Sequence, residues 1–214
     1  MKISIIGATG DMGYGLALRL AKAGHPVVIG SRSAERAQEA AQRAREESGC
    51  DNITGMDNPA AAAAGELVVL SVPSAGHRAT LEGLSEILRN KPVLDITIPM
   101  AFKPLRYAPP AEGSNALETK AVLGEECRVA CGFHTVSATL LADLSRPLSG
   151  DVLILGNDAE LVQTVMGLAQ QIGLRPVNAG GLQFSPTVEG LTPMLIGVNK
   201  RYGLNHAGIN ITGI

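Results

Sequence analysis

The first fifteen residues restrict this chain to few folds. A short β-branched run, Met1-Lys2-Ile3-Ser4-Ile5-Ile6, enters Gly7-Ala8-Thr9-Gly10-Asp11-Met12-Gly13-Tyr14-Gly15, which opens onto an alternately apolar segment, Leu16 to Ala23. That order predicts a strand, a tight turn and a helix N-terminus. Glycine tolerates positive φ and close backbone approach, and the free N–H groups at the positive end of a helix dipole favour a pyrophosphate. The stretch therefore predicts a dinucleotide site. Its spacing is G-x-x-G-x-x-G rather than the G-x-G-x-x-G of the best-known fingerprint, and an ordinary glycine-rich turn between strand and helix is the alternative.

The 214 residues suffice for one large domain, or one domain with a small appendage. Hydrophobic residues make up 45%, and the mean hydropathy of +0.17 predicts a globular chain with much buried strand. Aromatics are 3% with no Trp, which leaves no stacking platform for nucleic acid. A net charge of −2 gives no electrostatic reason for a nucleic-acid or anionic-membrane partner. Cys50, Cys127 and Cys131 form no zinc-spaced set with His, so no metal is expected, and three cysteines make no disulfide framework. No basic-plus-apolar leader opens the chain, and no apolar run approaches the ~20 residues of a membrane span, so a cytoplasmic location is expected.

Along the chain, helix and strand alternate. Gly24 stops the first helix, Pro26 to Ile29 reads as a strand, and Ala34 to Glu46 as a helix packed through Ala37, Ala40, Ala41 and Ala44. A short helix follows at Asn58 to Ala64, then a strand in Glu66 to Pro73, a helix over Gly76 to Leu88 and a strand at Pro92 to Ile96. Residues 101–114 read as an irregular loop or lid, and Ser114 to Leu123 as a helix whose N-terminus faces the site. Arg128 to Phe133, Asp151 to Gly156, Asp158 to Ile172 and Arg175 to Asn178 extend the series. The architecture predicted is α/β, a Rossmann-type doubly wound parallel sheet over residues 1–181. Residues 182–214, with a helix over Val188 to Tyr202, are too few to bury their own core. They form a helical cap on the crevice or pack on a second copy, and a homodimer is expected.

Ligands in such sheets lie beyond the carboxyl ends of the strands, which puts the segments Ser71 to Ser74 and Thr97 to Met100 at the crevice. An NAD site carries Asp or Glu at the end of the second strand, to accept from the ribose 2′-OH. Here Gly30 and Ser31 occupy it, followed by Arg32 and Arg36. Arginine matches a 2′-phosphate that a carboxylate would repel, so the cofactor read is NADP(H). Two arginines in a helix's first turn oppose its dipole, a conflict that a bound anion relieves.

Other chemistries lack their signatures. No Lys lies four residues after any Tyr, no P-loop is present, and carboxylate pairs are missing. His25 reads as a surface residue, His77 as a helix-start residue and His206 as part of the tail. Only His134, at a strand end, sits where a ligand would, with a structural histidine as the alternative. A nicotinamide site without a proton relay suits hydride exchange with a second redox cofactor.

Beyond the residue chemistry, five segments carry a resemblance: Gly7 to Ala21, Gly30-Ser31-Arg32, Ile53-Thr54-Gly55-Met56, Phe133-His134-Thr135 and Glu189-Gly190-Leu191-Thr192-Pro193. Together the chain resembles the NADPH-dependent coenzyme F420 reductases, over essentially its full length. The resemblance implies that Thr9, Ser31, Arg32 and Arg36 hold the 2′-phosphate. It puts Gly7, Gly10, Asp11, Met12 and Gly13 around the adenosine and pyrophosphate, and Val72, Pro73 and Ala138 beside the nicotinamide. His134, Val136, Ile98, Pro99 and the C-terminal cap would face the deazaflavin, coenzyme F420. The sequence departs from the family at Ser74-Ala75-Gly76-His77 and at Val136-Ser137, both on the acceptor side. The alternatives are a related reductase of another flavin, a metal chelate or a small imine or keto acid, with Lys200 as proton donor, and an NADP(H)-sensing protein without turnover.

Overall fold

The run Ile3-Ser4-Ile5-Ile6 is buried at every position, as expected of a parallel strand covered on both faces. The computed structural model describes all residues, 1–214, and puts this strand at the centre of an eight-stranded sheet.

In chain order the elements are β1 (Ile3–Ile6), α1 (Asp11–Lys22), β2 (Val27–Ser31), α2 (Ala34–Ser48), β3 (Ile53–Asp57), α3 (Asn58–Ala64) and β4 (Leu67–Leu70). There follow α4 (His77–Leu88), β5 (Val93–Asp95), β6 (Met100–Phe102), β7 (Leu105–Tyr107), α5 (Asn115–Leu123), β8 (Val129–Cys131) and α6 (Ala138–Ala142). β9 (Asp151–Gly156), α7 (Ala159–Gln171), β10 (Arg175–Asn178) and α8 (Ser185–Tyr202) complete the chain. The sheet order is β10-β9-β8-β5-β4-β1-β2-β3. β1 lies between β2 and β4, with Ile3 in register with both Val27 and Leu67. Strand order reverses there, so a crevice opens at the carboxyl ends of β1 and β4.

Helices cover both faces, α1, α2, α6 and α7 over one core and α3, α4, α5 and α8 over the other. The predicted α/β architecture is therefore present. Four details differ from the sequence reading.

First, α1 begins at Asp11, not Leu16, so Gly13 and Gly15 lie inside the helix. A Cβ at Gly13 would stand 2.7 Å from Ser71 Oγ, and one at Gly15 2.7 Å from Leu141 Cβ. Close packing of α1 on its neighbours thus outweighs the roughly 0.5–1 kcal/mol that glycine costs a helix. Second, Ile53–Asp57 is an edge strand; its interruption by Thr54 and Gly55 hides it, and Gly55 is needed because a Cβ there would meet the Ala37 carbonyl oxygen at 2.2 Å.

Third, residues 101–114 are partly ordered, since β6 and β7 pair as an antiparallel hairpin with Phe102 opposite Leu105. Fourth, β9 runs antiparallel to β8, and β10 parallel to β9. The connection explains this reversal. Arg19 donates to the carbonyls of Leu140, Leu141 and Arg146 at 2.9–3.0 Å, seating α6 on α1 at the carboxyl edge. The next strand can then only run back from that edge.

The C-terminal segment crosses the same edge. α8 starts three residues before the expected Val188, and Leu182 and Val188 join the core beneath it. The tail beyond is held by Asp151, which accepts from Ile211 N and pairs with Arg175 through two bonds of 2.6 Å.

Candidate active site

One crevice of about 1500 Å³ lies along the carboxyl ends of the strands and is roofed by α8. Of the residues singled out in the sequence, Gly7, Thr9, Gly10, Asp11, Met12, Ser31, Arg32, Arg36, Val72, Pro73, Ile98, His134, Val136 and Ala138 line it. Gly13 and Pro99 do not: Gly13 is buried against Ser71, and Pro99 is buried between Ile98 and Met100 in the chain, which do line it.

At one end the glycine turn passes close to β4. Gly7 has φ +82, and a Cβ there would lie 2.9 Å from the Ser71 carbonyl oxygen. Gly10 caps α1 without a side chain, which leaves first-turn N–H groups free for an anion. Beside it Ser33 caps α2, and Arg32 and Arg36 are exposed in the crevice wall. The arginines in ion pairs are Arg43, Arg78, Arg128 and Arg175, so these two guanidiniums are uncommitted. Asp57, in register with Ser31, caps α3 through Ala60 N at 2.9 Å. The Asp57 carboxylate is therefore engaged, as is Glu35, which accepts from Ser33 Oγ, and the two free guanidiniums beside the uncapped start of α1 fit an NADP(H) 2′-phosphate.

At the other end the wall is mostly apolar, with Ile96, Ile98, Phe133, Val136, Leu195 and Ile196. His134 is buried among them and neither ring nitrogen has a partner. Burial pushes its pKa down to about 4, outweighing the pull of Asp95, so the imidazole is neutral at pH 7. Its backbone carbonyl accepts from Thr192 Oγ1 of α8 at 2.7 Å. A neutral, unpartnered imidazole in an apolar wall fits a flat heterocycle that offers its own donors and acceptors.

Sequence reasoning missed the layer beneath this wall. His77 does start a helix, but it is buried, with Nε2 2.8 Å from Asp95 and Nδ1 2.6 Å from Glu118. Burial lowers its pKa, yet the two carboxylates overcome that and raise it to about 9. Asp95 also accepts from Thr119 and from the crevice residue Thr97, each at 2.6 Å. The N-terminus of α5 was expected to face the site; instead the N–H groups of Asn115 and Ala116 donate to Glu189 of α8 at 3.0 and 3.1 Å. Glu189 is wholly buried, and burial with the nearby Asp95 charge raises its pKa to about 8 despite these donors. No local signal in the sequence pairs residues so far apart. Asn58 was passed over as well, although it lies in the crevice wall. The residues that α8 contributes, Thr192, Leu195, Ile196 and Asn199, do follow helical spacing.

The family described as NADP oxidoreductase, coenzyme F420-dependent, matches residues 2–99, from β1 through the Ile98-Pro99 turn after β5. The F420-dependent NADP reductase of Methanocaldococcus jannaschii is 42% identical, covering 100% of this chain and 99% of its own. That of Methanothermobacter thermautotrophicus is 40% identical, covering 100% and 96%. This chain belongs to the coenzyme F420-dependent NADP oxidoreductase family. A crystal structure from Arthrobacter, assigned as an F420-dependent NADP-reductase, superposes with a TM-score of 0.85 at 26% identity over the whole of both chains. A Plasmodium falciparum pyrroline carboxylate reductase with NADP bound shares the fold alone, with a TM-score of 0.59 at 14% identity over 95% of this chain and 71% of its own.

Proposed function

We propose that this chain is an oxidoreductase that moves hydride between NADP(H) and the deazaflavin coenzyme F420. The observation that carries the reading is a single crevice with a cationic cradle at one end and an apolar wall at the other. Its volume of about 1500 Å³ exceeds the roughly 300–1,000 Å³ usual for one small ligand, and suits two end to end. Family membership supplies the identity of the second ligand.

The bound cofactors supply the chemistry, hydride passing directly between C4 of the nicotinamide and C5 of the deazaflavin. The chain supplies position and exclusion of water. In this reading Thr9, Ser31, Arg32 and Arg36 hold the 2′-phosphate, and the turn Gly7 to Gly13 with Met12 holds the pyrophosphate and adenosine. Val72, Pro73 and Ala138 border the nicotinamide. His134, Val136 and the Ile98-Pro99 turn face the deazaflavin under α8, with His134 orienting it through an uncharged ring. Residues 1–181 then form the NADP-binding part and 182–214 the cap.

A homodimer and a cytoplasmic location belong to the same proposal. Met194 and Tyr202 on α8, and Phe184 just before it, are 53%, 70% and 52% exposed, large apolar side chains that a second copy would cover. The three cysteines are free thiols, as a reducing compartment favours. No helix is long and apolar enough to cross a membrane.

The test mixes the purified chain with NADPH and oxidised F420 and follows the deazaflavin absorbance. Turnover is expected; tight NADPH binding with no absorbance change would overturn the proposal. Light scattering on the eluted protein reads the mass, and a monomer would remove the dimer.

A further inference from the structure

β5 ends in Asp95, and two residues later the chain enters the crevice wall with Thr97 and Ile98. Asp95 is fully buried, and both oxygens of its carboxylate are engaged. Oδ1 accepts from Thr97 N at 2.9 Å and from Thr97 Oγ1 at 2.6 Å, which folds the turn back onto the strand before it. Oδ2 accepts from His77 Nε2 at 2.8 Å and from Thr119 Oγ1 at 2.6 Å, so α4 and α5 hold the carboxylate from the other side. Thr97 Oγ1 accepts in turn from Asn115 Nδ2 at 2.8 Å. The one proton of the Thr97 hydroxyl is committed to Asp95, so Thr97 lines the crevice without a side-chain donor to offer a ligand.

A buried carboxylate paired with an imidazolium is weak evidence for stability, because well-packed apolar side chains of similar volume often do as well. What a fully satisfied network provides is one rigid arrangement. Here that arrangement reaches both stretches of the apolar wall. The Asp95 side chain holds Thr97 and Ile98, and its backbone carbonyl accepts from Gly132 N at 3.2 Å, where the segment that carries His134 begins. In the F420 reading, on which this inference rests, that wall must hold a flat ring within roughly 3–3.5 Å of its hydride partner, and a misplacement of about 1 Å is costly. We propose that Thr97 is a positioning residue for the hydride acceptor, its hydroxyl locking the Thr97-Ile98 turn to Asp95 and Asn115 so that Ile98 meets the deazaflavin in one fixed place.

The test compares the wild-type chain with Thr97→Val, Thr97→Ser and Thr119→Val. Deazaflavin fluorescence without NADPH gives the F420 dissociation constant, nicotinamide fluorescence that of NADPH, and steady-state assays kcat. Valine keeps the branched shape of threonine and removes the hydroxyl, whereas serine keeps the hydroxyl. Thr119→Val removes a bond of the same length from the same carboxylate, at the oxygen that does not hold the turn. Thr97→Val should bind F420 roughly tenfold more weakly and turn over at least roughly tenfold more slowly, with NADPH changed by less than about twofold. Thr97→Ser and Thr119→Val should keep F420 affinity within about threefold of the wild-type chain. Thermal midpoints establish that each variant is folded; if Thr97→Val is not, Asn115→Ala, which removes the other tie on the hydroxyl, carries the test with a loss of the same sign. Undiminished F420 binding by Thr97→Val, equal losses in Thr97→Val and Thr119→Val, or no recovery with serine would overturn the role of Thr97 while leaving the F420 reading intact. A wild-type chain that neither binds nor reduces F420 would remove that reading, and this inference with it.

Discussion

Replacing His77 by glutamine removes a positive charge that lies between two buried carboxylates, 2.8 Å from Asp95 and 2.6 Å from Glu118. Burial alone would make the imidazole less basic; the carboxylates win, and hold its pKa at about 9 against an ordinary 6.5. At about 1.36 kcal/mol per pH unit, that gap is worth about 3 kcal/mol of stability. The folded pKa lies above the unfolded one. The stabilisation is therefore complete below about pH 6.5 and lost as the pH rises through about 9. Breaking a buried ion pair from one side costs about 3–5 kcal/mol, which is the same loss seen from the carboxylates. Urea unfolding of the wild-type chain and His77→Gln at pH 6 and pH 9.5 measures it. The variant should be less stable by about 3 kcal/mol at pH 6, with most of the gap closed at pH 9.5, because the wild-type chain has by then lost its imidazolium. A gap of equal size at both pH values would refute the reasoning, since it would mean that shape rather than charge is what His77 contributes.

Arg32→Glu should weaken NADPH binding by two or more orders of magnitude and NADH binding far less, because the new carboxylate faces the 2′-phosphate; equal losses in a titration would sink the assignment. Gly15→Ala drives a Cβ to 2.7 Å from Leu141 Cβ and pushes α6 away from α1. A stability loss of about 1–3 kcal/mol in urea and slower turnover are expected, because Ala138 at the start of α6 lines the crevice; an unchanged rate would show that the wall tolerates the shift. Glu189 has a folded pKa of about 8, above its ordinary 4.5, so wild-type stability should fall as the pH rises between those values. Glu189→Gln should flatten that decline in a series of melting curves, and parallel pH profiles would count against the charge at residue 189.

Local chemistry made much of the site legible. A glycine turn after a β-branched strand suits an anion, Arg32 and Arg36 stand where an NAD site carries an acid, and the fold brings them into the wall of one crevice. Buried parallel strands such as Leu67–Leu70 are short apolar runs that stand out from their flanks. β3 did not stand out, because Gly55 is demanded by a contact with Ala37 that no periodicity records.

The sequence by itself determined the alternation of strands and helices, the glycine turn that opens α1 and the arginines in place of an acid after β2, because each depends on neighbours within a few residues or on residue type alone. Tertiary structure decided which glycines serve the turn and which serve helix packing, which way β9 runs, and where buried charges find partners. His77 meets Asp95 and Glu118 from other elements, and Glu189 meets the start of α5, some 70 residues away in the chain. Such pairings arise only when the folded backbone brings distant residues together in a medium that penalises an unpaired charge.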